Sequence, residues 1–201
     1  MDKYNIPEIH KECLLTMLSH LHNLFKKYNI HYFIDGGSLL GAVRENGLIP
    51  HDDDIDLGIL EKEWNKLPNI LKELCDDKYQ INYQIETNII KVFIPKLWVK
   101  EKDTERIIGT PTIDIFKWKK ANKKIELKSL EDRQNYPNCY YNKEELQPLK
   151  IYNFNGLKVY GANNPYPYLY RYYGNDCLKV RKVEYRNPNN MYEKSKTIII
   201  S

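Results

Sequence analysis

The sequence predicts an α+β fold, a mixed β-sheet flanked by helices in a single compact domain. Three observations predict it. Short segments such as Ile55–Ile59 and Thr112–Phe116 alternate or cluster apolar residues in the manner of strands. A glycine turn, Gly36-Gly37-Ser38, lies between one such strand and a helical segment. A long stretch from Pro7 to Tyr28 carries an apolar stripe at helical spacing. We read residues 1–187 as the domain and residues 188–201 as a C-terminal tail with no functional reading.

In chain order, the first helix presents Leu14, Met17, Leu18, Leu21, Leu24, Phe25 and Tyr28 on one face, with His10, His20 and His22 as surface or flank residues. His31 to Asp35 reads as a short strand. Ser38 to Glu45 reads as a helix that Ser38 caps and Gly47 closes. Glu61 to Cys75 is a second long helix, disturbed by Pro68. Tyr79–Ile85 and Ile89–Ile94 form an antiparallel pair, and Thr112–Trp118 continues the sheet. Asn122 to Ile125 marks a turn, and Lys128 to Pro148 is polar and irregular. Ile151 to Tyr160 is a hairpin around Asn155-Gly156, a strong turn dipeptide.

The chemistry sits between Tyr32 and Leu60. From Asp54 to Ile59 the apolar residues are Ile55, Leu57 and Ile59, while Asp54, Asp56 and Gly58 alternate with them. Period two sends Asp54 and Asp56 to one face of a strand, roughly 7 Å apart along it. Two carboxylates that close repel unless a cation lies between them. Mg²⁺ (or Mn²⁺), which favours carboxylate, phosphate and water oxygens, suits that position. Asp52 and Asp53 belong to the turn before the strand, where solvated acids are ordinary. Upstream, the free N–H groups of a helix that opens at Gly36-Gly37-Ser38 form a seat for phosphate. Asp114, alone between the β-branched residues Ile113 and Ile115, needs a ligand or a partner. If its strand lies beside that of Asp56, it joins the same acidic face.

The segment GGSLLGAVRENGLIPHDDDIDLGI resembles the central motif of the LicD family, which includes the fukutin-related proteins. Gly36, Gly37, Ser38, Leu40, Gly41, Arg44, Ile49, Pro50, Asp52, Asp53, Asp54, Asp56 and, in a later Asp-Ile-Phe strand, Asp114 match that pattern. His51 stands where the family often has Trp. The segment Pro165 to Gly174 is similar to the family's closing Tyr-Leu-x-x-Tyr-Gly, and the likeness runs from Tyr28 to Asp176. The resemblance implies a nucleotidyltransferase-like sheet, related at its active site to DNA polymerase β. It implies Asp54, Asp56 and Asp114 as catalytic and metal-binding residues, and Gly36, Gly37, Ser38, Arg44, His51 and Tyr173 as substrate-binding ones. It further implies a CDP-linked alcohol as donor, a glycan hydroxyl as acceptor, and CMP as the leaving group. The acids alone fit equally a nucleotidyltransferase that releases pyrophosphate from an NTP. A non-catalytic nucleotide- or glycan-binding adaptor is disfavoured by the complete set of acids.

Composition bounds the remaining classes. A length of 201 residues suits one domain with a real core. A formal net charge of +4 is too weak for a nucleic-acid binder but suits anionic substrates. Lys91, Lys96, Lys100, Lys102 and Arg106, broken by Glu101, Asp103 and Glu105, read as a solvated loop or edge. Cys13, Cys75, Cys139 and Cys177 show neither zinc spacing nor a disulfide framework. With no apolar signal core or transmembrane-length segment, a soluble, cytoplasmic protein is expected. Tyr166, Tyr168, Tyr170, Tyr172 and Tyr173 suit either a stacking surface for a nucleobase or a helix packed on the sheet.

Overall fold

A computed structural model describes residues 5–75, 78–95, 97, 99–100, 107–185 and 196–200. The expected α+β fold is present. Helix α1 (Glu8–Lys27) precedes strand β1 (Tyr32–Ile34), helix α2 (Gly36–Arg44) and strand β2 (Asp54–Leu60). Short helices α3 (Glu61–Trp64) and α4 (Leu67–Leu71) and a 3₁₀ turn (Lys72–Leu74) lead to strands β3 (Gln80–Gln84) and β4 (Ile89–Phe93). Strands β5 (Val99–Lys100) and β6 (Ile107–Ile108) pair with each other, and β7 (Thr112–Ala121) returns to the main sheet. Then follow β8 (Lys124–Leu127), α5 (Leu130–Asn135), β9 (Tyr140–Asn142), α6 (Lys143–Leu146), β10 (Lys150–Phe154), β11 (Leu157–Gly161) and α7 (Tyr166–Tyr173). Strands β12 (Arg181–Tyr185) and β13 (Lys196–Ile200) form a last antiparallel pair.

The main sheet runs β1-β2-β7-β4-β3, with β8 added beside β7 and β9 beside β8. Only the β2–β7 pair among its described pairs is parallel. A parallel pair needs a crossover, and the chain from α3 to β6 supplies it. This topology sets two strands that are distant in sequence side by side at the centre of the sheet. One face of β2 and β7, with Ile55, Leu57, Ile59, Ile113 and Ile115 all fully buried, packs under α1. Leu14, Leu18, Leu21 and Phe25 of that helix are equally buried. Each such aliphatic side chain contributes about 1.5–3 kcal/mol of transfer free energy.

Several local expectations need correction. Tyr28 is exposed, because α1 ends at Lys27 and Tyr28 turns toward Glu73. His10 is fully buried rather than superficial: its Nε2 lies 2.9 Å from the carbonyl oxygen of Asp53, a tertiary partner that helical spacing cannot reveal. Glu61–Cys75 is broken into two helices and a 3₁₀ turn, with Pro68 in the first turn of α4, where a missing N–H costs nothing. The stretch from Lys128 to Pro148 is ordered. Ser129 caps α5 by accepting from Asp132 N–H, and Asn142 and Glu145 form a capping box on α6. Lys91 lies in β4 at mid-sheet and not in a solvated loop. Lys96, Glu101, Lys102, Asp103, Glu105 and Arg106 lie outside the described residues.

The Asn155-Gly156 hairpin forms as expected, with positive φ at both residues (50° and 90°). Its tip also holds the α2–β2 loop. Asn155 Oδ1 accepts from Leu48 N–H at 2.8 Å, and Asn155 N–H donates to Asn46 O at 2.9 Å. All four cysteines are free thiols. Among the described residues, no helix is long and apolar enough to cross a membrane.

Candidate active site

Alternation along β2 sends Ile55 and Leu57 into the core and Asp54 and Asp56 to the opposite face. Gly58 continues that second face, but the Phe33 ring fills the space its side chain would need, which ends the polar strip. In the parallel register Asp56 stands directly beside Asp114. One carboxylate oxygen from each of Asp54, Asp56 and Asp114 lies within 4.8 Å of the other two. A second group, Asp52, Asp53 and Asp54, meets the same limit and shares Asp54 with the first.

The β1–α2 turn is built against these acids. Gly36 has φ +49°, and a β-carbon there would stand 2.6 Å from Asp56 Oδ2 and 3.5 Å from the Tyr173 hydroxyl. A β-carbon on Gly37 would stand 2.6 Å from Asp52 Oδ2. Glycine is therefore required at Gly36 both for backbone conformation and for close approach. The carboxylates of Asp52 and Asp56 thus lie over the opening turn of α2, the space read from the sequence as a phosphate seat. Ser38 is not the helix cap. The cap position is Asp35, and the Ser38 hydroxyl, buried one turn in, accepts from Asp56 N–H at 2.9 Å. Asp35 N–H donates to Asp56 O at 3.0 Å, so one turn clamps both sides of the Asp56 backbone.

Crowding and burial act together on the acids. Burial, then Asp114 and Asp53, push the Asp54 carboxyl up to about 7, against the pull of Lys91. Burial first, then Asp54 and Asp52, hold Asp56 well above the usual carboxylate range. Burial raises Asp114 too, and Lys91 opposes it through an ion pair with Oδ2. The other oxygen, Asp114 Oδ1, is buried and makes no hydrogen bond. Hard oxygen donors, mutual repulsion and an unsatisfied buried acceptor are together what a divalent cation relieves. The donor set fits Mg²⁺ or Mn²⁺.

The remaining sequence-predicted residues separate. Tyr173 is brought to the acids and lines a cavity of about 260 Å³ with Asp35, Gly36, Asp56, Tyr136 and Tyr172. Burial and the nearby Asp56 push its phenol well above its ordinary range. Tyr168, by contrast, stacks on Tyr141 with centroids 4.0 Å apart and is core, while Tyr166 and Tyr170 are exposed. The aromatic segment is therefore divided, with Tyr168 packed in the core and Tyr173 at the cavity beside the acids. His51 is half-buried in the turn before the acids. Arg44 sits at the far end of α2, roughly 12 Å from Gly36 by helical rise. Its guanidinium donates to Cys177 O (2.8 Å), Val180 O (3.1 Å) and Glu45 (2.8 Å). That geometry makes it a clamp on the C-terminal segment rather than a contact of the acids.

Three residues of the site escaped the sequence reading. Lys91 is paired in register with Asp114, and its position between the core residues Ile90 and Val92 was the available signal. Asp35 is buried, its carboxyl raised by burial, with Oδ1 accepting from the Tyr141 hydroxyl at 2.7 Å. Tyr141 left no sequence signal, because it comes from the stretch that reads as irregular.

Residues 29–164 match the family described as LicD/FKTN/FKRP, nucleotidyltransferase domain. An uncharacterized protein of Rickettsia prowazekii (strain Madrid E) is 33% identical over 171 residues, which cover 85% of this chain and 58% of that protein. The lipopolysaccharide cholinephosphotransferase LicD of Haemophilus influenzae is 33% identical over 81 residues, 40% of this chain and 30% of that protein. A solved structure of ANT(2")-Ia in complex with adenylyl-2"-tobramycin has a TM-score of 0.48 at 15% identity, covering 74% of this chain and 68% of that one. The chain thus spans little more than half of the rickettsial relative and less than a third of the Haemophilus one. With the family pattern matched over most of its length and its acids gathered at one sheet face, this chain belongs to the LicD/FKTN/FKRP nucleotidyltransferase-domain family.

Proposed function

We propose that the chain is a metal-dependent phosphotransferase. It moves a phospho-alcohol, of the phosphocholine or ribitol-phosphate kind, from a CDP-activated donor to a glycan hydroxyl and releases CMP. The observation that carries this reading is the convergence of Asp54, Asp56 and Asp114 beside the opening turn of α2. The name of the Haemophilus relative supports the class of group transferred and of acceptor.

In this reading the acceptor oxygen attacks the phosphorus that bears the alcohol. The bond from that phosphorus to the bridging oxygen breaks, and its electron pair leaves with CMP. Asp54 and Asp56, with Asp114 beside them, would hold Mg²⁺ or Mn²⁺. When bound, the ion supplies Lewis-acid stabilisation of charge on the phosphoryl oxygens and the leaving group. Asp114 completes the site beside the attacking hydroxyl and takes its proton at Oδ1, since Lys91 engages Oδ2. Gly36, Gly37 and Ser38 form the edge against which the donor diphosphate lies, beside the Asp52 and Asp56 carboxylates whose charge a bound metal would offset. Tyr173 and its cavity take the cytosine base, and His51 borders the acceptor side. Arg44 acts at a distance by fixing the C-terminal segment that carries Tyr173.

The test is product analysis. The protein is incubated with Mn²⁺ or Mg²⁺, a glycan acceptor, and separately CDP-choline, CDP-ribitol, CTP and ATP. CMP formed from a CDP-alcohol is the expected result. Pyrophosphate from an NTP, with CDP-alcohols inert, overturns the proposal in favour of nucleotidyl transfer.

A further inference from the structure

Registers across three adjacent strands place Asp56, Asp114 and Lys91 in one row: Asp56 beside Asp114 through β2–β7, and Asp114 beside Lys91 through β4–β7. Residues in register on neighbouring strands project from the same sheet face. The Lys91 ammonium closes the row with its ion pair to Asp114 Oδ2, leaving Oδ1 without a partner. A cation thus already touches one of the carboxylates that would hold a metal ion. Lys91 is half-buried and Asp114 nearly fully so, which weakens screening by solvent.

We propose that Lys91 is a resident counter-cation of the acidic cluster and the positioning residue for Asp114. This rests on the phosphotransferase reading of the same site. Two consequences follow from electrostatics and geometry. The ammonium repels an incoming divalent cation and engages one oxygen of a ligand to it, so it weakens metal binding while holding the metal-free cluster together. It also holds Asp114 Oδ2 and leaves Oδ1 as the carboxylate oxygen without a partner, so that Asp114 offers one oxygen to the site instead of letting both embrace the ion. Lys91 thereby trades metal affinity for orientation, in contrast to a lysine that merely supports the sheet.

Three variants, Lys91→Met, Lys91→Gln and Lys91→Arg, test this through metal binding, thermal melting and kinetics. Work at about pH 8.5 keeps protons from competing strongly with the metal. In Lys91→Met, Mn²⁺ is expected to bind roughly tenfold more tightly by calorimetry, through loss of the nearby like charge. Its metal-free melting temperature falls, and the rise on adding Mn²⁺ exceeds that of the parent protein. Its kcat falls roughly 30-fold or more with a smaller change in the donor KM, as removal of an orienting contact predicts. Lys91→Arg restores much of the kcat, and Lys91→Gln falls between. Should Lys91→Met fold only with Mn²⁺, the Gln and Arg variants supply the same comparison. Weaker or unchanged Mn²⁺ binding in both Met and Gln variants overturns the proposal, as does full kcat in Lys91→Met. If the parent protein releases pyrophosphate from NTPs instead of CMP, the phosphotransferase reading fails, whereas the Mn²⁺ affinities still judge Lys91.

Discussion

Replacement of Asp54 by Asn separates a metal-binding acid from a structural one. Asp54 has its carboxyl raised from 3.8 to about 7 by burial and by Asp114 and Asp53. A folded-state value above the unfolded one means that stability is fully present below about pH 4. It is lost as pH rises through about 7, because the folded protein must then carry an unwelcome charge. At about 1.4 kcal/mol per unit, that shift corresponds to roughly 4 kcal/mol at alkaline pH. Water reaching the half-buried carboxylate and relaxation of its neighbours reduce the figure, so a net gain of about 1–3 kcal/mol is expected for Asp54→Asn without metal at pH 8. For a domain of this size that is a rise of roughly 2–12 °C in melting temperature. Near pH 4 the two proteins should melt together. Added Mn²⁺ should stabilise the parent protein and leave the variant unmoved, while turnover in the variant is abolished. Melting curves at pH 4, 6 and 8, each with chelator or Mn²⁺, measure all of this. An Asp54→Asn protein that melts lower at pH 8, alongside a parent indifferent to metal, would refute the reasoning and make the acids structural.

Other perturbations distinguish the parts of the site. Gly36→Ala places a β-carbon 2.6 Å from Asp56 Oδ2 at φ +49°; it should cost about 1–3 kcal/mol of stability and at least tenfold in Mn²⁺ affinity, read by melting and calorimetry. Ser38→Ala leaves the buried Asp56 N–H without its acceptor, so a loss of about 1–3 kcal/mol is expected, with CDP binding weakened more than cytidine binding in a calorimetric titration. Arg44→Ala strands the Cys177 and Val180 carbonyls, lowering stability by about 1–3 kcal/mol, yet Mn²⁺ affinity should stay within about twofold if Arg44 is a clamp. Tyr173→Ala should weaken CDP and CMP alike by about 1–3 kcal/mol if the base stacks there; an unchanged Kd for both, or tighter binding of ATP than of CDP by the parent protein, places the base elsewhere.

The sequence by itself determined the strands, the acids and the turn that serve the site. Alternation along β2 commits Asp54 and Asp56 to one face, because side chains in an extended chain repeat every two residues. The turn at Asn155-Gly156 was equally legible, since few residue pairs tolerate positive φ in succession. The partners of those residues belong to the tertiary structure alone. Whether Asp114 meets Asp56 depends on a parallel pairing of residues 58 apart in sequence, and nothing local records that register. Ser38 reads locally as a cap. Its hydroxyl instead serves the Asp56 backbone, because a strand 18 residues later lies within reach. Arg44 reads as a phosphate contact from its place in the motif, and only the folded path of the C-terminal segment shows where its donors go. Lys91 looks like one more surface lysine until β4 lies beside β7 and aims it at a buried carboxylate. Local patterns fix which face a side chain leaves by, but long-range packing decides what waits on that face.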